Sequence, residues 1–166
     1  MELEKIEGYS FVDGGVCAAK GFTANGLNCG INPNKEKFDL GLIFSECDCT
    51  AAGVFTQNKV KGAPVIVTRE NLKKSKGHAR AVIANSKNAN TCNADGVEIA
   101  EKTCELVAKA LNIKPEEVII GSTGVIGQPM SIKPFEEYVE PLAKGLTADG
   151  SGRCEYAIMT TDTVKK

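Results

Sequence analysis

Apolar residues recur at helical spacing at Val97, Ala100, Cys104, Val107 and Leu111, with Glu98, Glu101, Lys102, Glu105 and Lys109 between them. This period predicts a helix with one stripe for a sheet and one face for water, capped by side chains of the Asn93-Ala94-Asp95 segment. Elsewhere the apolar runs are short and β-branched or aromatic, which predicts strands at residues 38–46, 53–56, 64–68, 80–84, 118–120 and 155–161. Residues 69–76 read as a short helix closed by Gly77. Ser131 opens a third helical segment over about residues 133–144, which Pro134 and Pro141 predict to be broken. Strands arriving singly and in pairs between helices predict an α+β fold, a mixed sheet packed against helices, rather than a regular βαβ repeat.

With 166 residues, 42% of them hydrophobic, the chain fills one core, so residues 1–166 are expected to form a single domain. Lys and Arg total 20 against 21 Asp and Glu, and no stretch collects the like charge that a nucleic-acid or membrane partner requires. The densest basic cluster, Lys73, Lys74 and Lys76, sits where it would complement a helix dipole. The start, Met1-Glu2-Leu3-Glu4-Lys5, shows no leader, and no apolar run approaches the roughly 20 residues of a membrane span; a soluble, cytoplasmic protein is expected. The seven cysteines contain no Cys-x-x-Cys pair, although Cys47 and Cys49 would share one face of an extended segment. With His78 the only histidine, reduced thiols, no metal and no cofactor are expected.

Three polar clusters are candidates for chemistry. Gly121-Ser122-Thr123-Gly124-Val125-Ile126-Gly127 follows a predicted strand but lacks the Gly-x-Gly start of a dinucleotide fingerprint and the Gly-Lys-Ser/Thr end of a P-loop. As an oxyanion site it would aim the Thr123 hydroxyl and the Gly124 N–H at one oxygen; as an ordinary strand-to-helix turn it needs the same residue types for conformation alone. Asn85-Ser86-Lys87-Asn88-Ala89-Asn90 either satisfies backbone groups in a tight bend or orients a polar substrate. Thr160-Thr161-Asp162-Thr163, if extended, turns Thr160 and Asp162 one way and Thr161 and Thr163 the other. None of the three supplies a nucleophile with its base.

Together with Asp39-Leu40-Gly41-Leu42-Ile43 and Ala52-Gly53-Val54-Phe55-Thr56-Gln57-Asn58, these clusters occur in the order found in one family. From about Gly14 onward the chain resembles the N-terminal, α-chain part of the bifunctional glutamate N-acetyltransferase/ornithine acetyltransferases of arginine biosynthesis. The resemblance implies an autoprocessed enzyme of N-terminal-nucleophile architecture, completed by a β chain whose new N-terminal threonine carries the acetyl group from N-acetylornithine to glutamate. It implies Thr123 and Gly124 as the oxyanion pair and Thr160 as a substrate contact, in a heterotetramer of α and β chains. Whether acetyl-CoA also serves as donor stays open. Lys87 stands where the family usually has glycine, and the Lys-Gly-rich segment and Ala-Thr cleavage junction are expected beyond Lys166, so the chain alone should be inactive. The alternatives are half of an N-terminal-nucleophile amidohydrolase or aminopeptidase, and a non-catalytic small-molecule binding module.

Overall fold

The computed structural model describes residues 7–160. Its sheet has four strands, β1 (Phe22–Leu27), β2 (Leu40–Thr50), β3 (His78–Asn85) and β4 (Val118–Ser122), in that spatial order. β1, β2 and β3 pair antiparallel, and β3 and β4 pair parallel. A parallel pair cannot be joined by a tight turn, and the connection here is a helix, α2 (Gly96–Leu111). The helices α1 (Ala63–Lys74), α3 (Lys133–Lys144) and α4 (Ser151–Ile158) complete an α+β arrangement around a mixed sheet, as the spacing predicted.

The core lies on one sheet face, where Leu42, Ile83, Val118 and Ile120 meet Cys104 and Val107 of α2 and Phe135, Val139 and Leu142 of α3. In α2 the buried stripe runs through Ile99, Ala100, Cys104 and Val107, while Val97, expected on it, is exposed. Asp95 precedes α2 without a side-chain cap, and Asn93 donates instead to the Asn90 side chain. Helix α4 covers the opposite face over β1 and β2. Gly26 and Gly41 allow this, since a Cβ on Gly26 would run into the Arg153 carbonyl and one on Gly41 would lie 3.0 Å from Cys154 Sγ.

Four further expectations fail for physical reasons. Residues 64–68 are not a strand: Gly62 and Pro64 start α1, and its Thr68 hydroxyl donates to the Ile120 carbonyl (2.9 Å) and accepts the Ile120 N–H (3.0 Å). Helix α1 thus covers the edge of β4, and burial outweighs the β propensity of Val65, Ile66 and Val67. Residues 53–56 lie outside any strand, with Val54 fully exposed. Residues 151–158 form α4 where a strand was expected from residue 155. Finally, α3 is continuous: Pro134 occupies its first turn, and at Pro141 both the proline and Glu137, whose carbonyl loses its N–H partner, are exposed to water. Gly77 does close α1, its N–H reaching the Leu72 carbonyl at 2.8 Å. No helix among the described residues is long and apolar enough to cross a membrane.

Candidate active site

Parallel pairing sets Asn85 beside Ser122, so the loops that leave β3 and β4 emerge side by side at the carboxyl ends of two parallel strands. Such an edge is where open sheets build crevices. The pairing continues past the strands: Thr123 N–H bonds Asn85 O (2.9 Å), Val125 N–H bonds Lys87 O (3.0 Å), Ala89 N–H bonds Val125 O (2.9 Å) and Gly127 N–H bonds Thr91 O (2.9 Å).

The amides hold this double loop from within. Asn85 is buried, donates through Nδ2 to the carbonyls of Ser86 (3.1 Å) and Asn88 (2.9 Å), and accepts the Ser122 hydroxyl at 2.6 Å. Asn88 donates to the carbonyls of Gln128 (3.1 Å) and Pro129 (3.2 Å), and Asn90 donates to Gly96 O (2.8 Å). Of the two readings of the amide cluster, satisfaction of backbone groups in a bend is the one these bonds describe. The fully buried Asp39 organises a third wall: its carboxylate accepts the N–H groups of Cys29 and Asn32, both at 2.6 Å, while its carbonyl accepts Ser86 N–H at 2.9 Å.

Between these walls and the end of α4 opens a cleft of about 560 Å³, lined by Asn32, Asn34, Lys37, Ser86, Lys87, Thr123, Gly124, Val125, Met159 and Thr160. The three residues singled out from sequence, Thr123, Gly124 and Thr160, therefore meet in one place. Thr160 arrives from the residue pair after α4 and not along a strand, so alternation does not set its direction; Thr161, Asp162 and Thr163 lie outside the described residues. Thr123 and Gly124 are exposed to the cleft, and neither the Thr123 hydroxyl nor the Gly124 N–H has a partner among the described residues. Ser122, by contrast, is committed to Asn85.

Among the described residues the lining contains no histidine, cysteine or carboxylate, so these residues can donate hydrogen bonds to a developing anion but supply no carboxylate, imidazole or thiolate to activate a nucleophile. His78 begins β3 and Cys47 and Cys49 lie near the end of β2, none of them lining the cleft. Burial pushes the Cys154 thiol up to about 11 and that of Cys104 up to about 12; it raises Cys29 as well, helped by the nearby Asp39 charge. Such thiols stay protonated and unreactive. Among the described residues no group of three or more His, Cys, Asp or Glu side chains could hold a metal ion.

Sequence reasoning missed Asn32, Asn34, Lys37 and Met159 as cleft residues. For Asn32, Asn34 and Lys37 the one sequence signal is Asp39, whose place between a polar loop and an apolar strand marks it for buried backbone capping. It also left open how Lys87 fits a glycine position; the residue does so at φ 77, in the left-handed region.

Comparison with known proteins identifies the family. The family model described as the ArgJ family matches residues 23–166. The arginine biosynthesis bifunctional protein ArgJ of Desulfotalea psychrophila is 43% identical over 148 residues, covering 89% of this chain and 37% of the relative. The glutamate N-acetyltransferase of Methanocaldococcus jannaschii is 42% identical over 156 residues, covering 93% and 37%. Among solved structures, ornithine acetyltransferase complexed with ornithine, from Mycobacterium tuberculosis, superposes with a TM-score of 0.85 at 39% identity, covering 90% of this chain and 81% of that one. The chain thus spans well under half the length of the curated relatives it matches. Matched over most of its length by sequence and by structure, the chain belongs to the ArgJ family.

Proposed function

We propose that this chain is the α-chain part of an ornithine acetyltransferase, supplying the oxyanion hole for transfer of an acetyl group from N2-acetylornithine to glutamate. The observation that carries the reading is a pair of donors without partners among the described residues, the Thr123 hydroxyl and the Gly124 N–H, on residues lining a cleft where no described residue is a histidine, cysteine or carboxylate. A site of that kind stabilises charge on an acyl oxygen and needs its nucleophile from elsewhere. The rest of the polypeptide, the larger share of the relatives' length, is where we place it.

In this mechanism an N-terminal threonine of the β chain attacks the acetyl carbonyl while its own α-amine takes the hydroxyl proton. The carbonyl oxygen becomes an oxyanion held by Thr123 and Gly124, and collapse expels ornithine, whose departing nitrogen receives the proton. Glutamate's amine then attacks the acetyl-threonine, passes through the same oxyanion and regenerates the hydroxyl. Thr160 contacts the substrate beside the corner. No cofactor takes part; acetyl-CoA would enter, in a bifunctional enzyme, by loading the same threonine. We assign the enzyme to the cytoplasm and its assembly to a heterotetramer of α and β chains.

A surface for the β chain is available. Ile43, Val82 and Ile119 share the sheet face beside α4 and remain partly exposed, and Val54 and Val60 are exposed nearby in sequence. The test is acetyl transfer by the whole enzyme, this chain together with the remaining polypeptide, in the wild type and in Thr123→Ala. Losing one oxyanion donor should lower kcat about 100- to 1000-fold with little change in KM. Unchanged turnover removes Thr123 from the mechanism, and acetate release indifferent to glutamate assigns the site to a hydrolase instead.

A further inference from the structure

The cleft that holds the Thr123-Gly124 corner is walled by two lysines, Lys37 and Lys87, and, among the described residues, by no carboxylate. Neither ammonium forms an ion pair with a described residue. Lys87 is held at φ 77, a conformation that glycine adopts without strain and a side chain does not. Its backbone cannot relax, because its carbonyl accepts Val125 N–H at 3.0 Å and the Cα of Gly124 packs against the peptide joining Lys87 to Asn88. The loop thus keeps a long cationic side chain at the cleft in a backbone state that glycine would fill more easily. Strain kept at the wall of a cleft points to work done by the side chain.

We infer that Lys87, assisted by Lys37, is a specificity-determining residue: a cationic wall that favours the net-anionic acetyl acceptor over the zwitterionic acetyl donor. The inference rests on the acetyl-transfer reading above. At neutral pH N2-acetylornithine carries one carboxylate and one ammonium, because its α-nitrogen is an amide. Glutamate carries two carboxylates and one ammonium. A positive field focused in a cleft concentrates the second and is nearly indifferent to the first. The ammonium of Lys87 offers a charge-assisted hydrogen bond to the extra carboxylate. That contact is the same in the ground and transition states, so it acts on KM for glutamate rather than on kcat.

The experiment compares the wild-type whole enzyme with Lys87→Met, Lys87→Arg and the double variant Lys37→Met/Lys87→Met, using steady-state kinetics for each substrate. It also measures calorimetric binding of glutarate, a dicarboxylate with no amine to acetylate. Exposed charge pairs suggest that Lys87→Met raises KM for glutamate about 3- to 5-fold at low ionic strength. The double variant should raise it further, while KM for N2-acetylornithine and kcat move by less than about 2-fold and Lys87→Arg behaves as wild type. The difference should fade as salt is added, and glutarate affinity should fall in parallel. An unchanged glutamate KM and glutarate affinity in both methionine variants, or an equal rise for the two substrates, overturns the cationic wall while leaving acetyl transfer intact. A wild-type enzyme that transfers nothing to glutamate but loses glutarate on Lys87→Met keeps the wall and overturns the reaction.

Discussion

Replacing Gly124 by alanine tests whether the position of the corner, and not only its composition, sets turnover. Gly124 has φ 137, and an added Cβ would fall 2.5 Å from Asn88 N and nearer still to the Lys87 carbonyl group. Ordinary contact begins at 3.4 Å, so roughly 1 Å of movement must be found. The Lys87 side cannot supply it: Val125 N–H and Ala89 N–H stitch the two loops at 3.0 and 2.9 Å, and Asn88 is buried and tied to the Gln128 and Pro129 carbonyls. The segment at Thr123 and Gly124 therefore shifts. A misplacement of about 1 Å at a reacting centre costs about 100-fold in rate, or about 2.7 kcal/mol in the barrier. The unfavourable φ adds about 1–3 kcal/mol of lost stability. Steady-state kcat and KM for N2-acetylornithine, with Tm measured in parallel on the whole enzyme, separate the two effects. A kcat within about 3-fold of wild type would refute the reasoning, since a corner that tolerates this shift is not positioning donors.

Thr68→Val removes both hydrogen bonds to Ile120 and leaves a buried strand N–H and carbonyl unpaired; urea denaturation should show a loss of about 2–3 kcal/mol. Asn85→Asp keeps the shape but turns a carboxylate oxygen toward the Ser86 and Asn88 carbonyls. It should destabilise at least as much as Asn85→Ala, by about 3 kcal/mol, where a purely steric role predicts little change. The raised thiols give the fold a pH limit: Cys154 and Cys104 keep their protons up to about 11 and about 12, whereas the unfolded chain releases them near the ordinary 9.0. Stability from these groups is therefore complete below pH 9 and falls as the pH rises, by about 1.4 kcal/mol per unit for each thiol, which denaturation at pH 8 and pH 10 measures.

What could be read from the sequence divides along a physical line. Helix α2, strands β3 and β4 and the extent of α3 were legible because their apolar periodicity is local. Strand β1 was not, since Asn25 and Gly26 lower its intrinsic preference. It forms because six residues of β2 lie opposite it and α4 closes over Gly26. Helix α4 failed for the matching reason: Tyr156, Ala157 and Ile158 suit either state, and only the glycine-lined sheet face below decides between them. In α1 the β-branched run was misread because its determinant, the free edge of β4 that needs the Thr68 hydroxyl, lies 52 residues away.

The site was legible in a different sense. Thr123 and Gly124 stood out as donors, but the choice between oxyanion loop and ordinary turn depended on whether those donors were already used, and hydrogen-bond occupancy is not written in a motif. The neighbouring bonds resolve into a division of labour. Neighbouring polar groups hold it in place: Ser122 bonds Asn85, Thr123 N–H the Asn85 carbonyl and Val125 N–H the Lys87 carbonyl. The Thr123 hydroxyl and the Gly124 N–H, without partners among the described residues, belong to adjacent residues that line one cleft. A preorganised oxyanion hole needs this combination, because donors that must reorient during the reaction give back the stabilisation they provide. A surface turn has no use for such surroundings, as water would satisfy the same groups without a buried amide network. The network around Asn85, Asn88 and Asn90 therefore adds to the two unpartnered donors in support of reading the corner as machinery, although none of the three amides needs to touch a substrate.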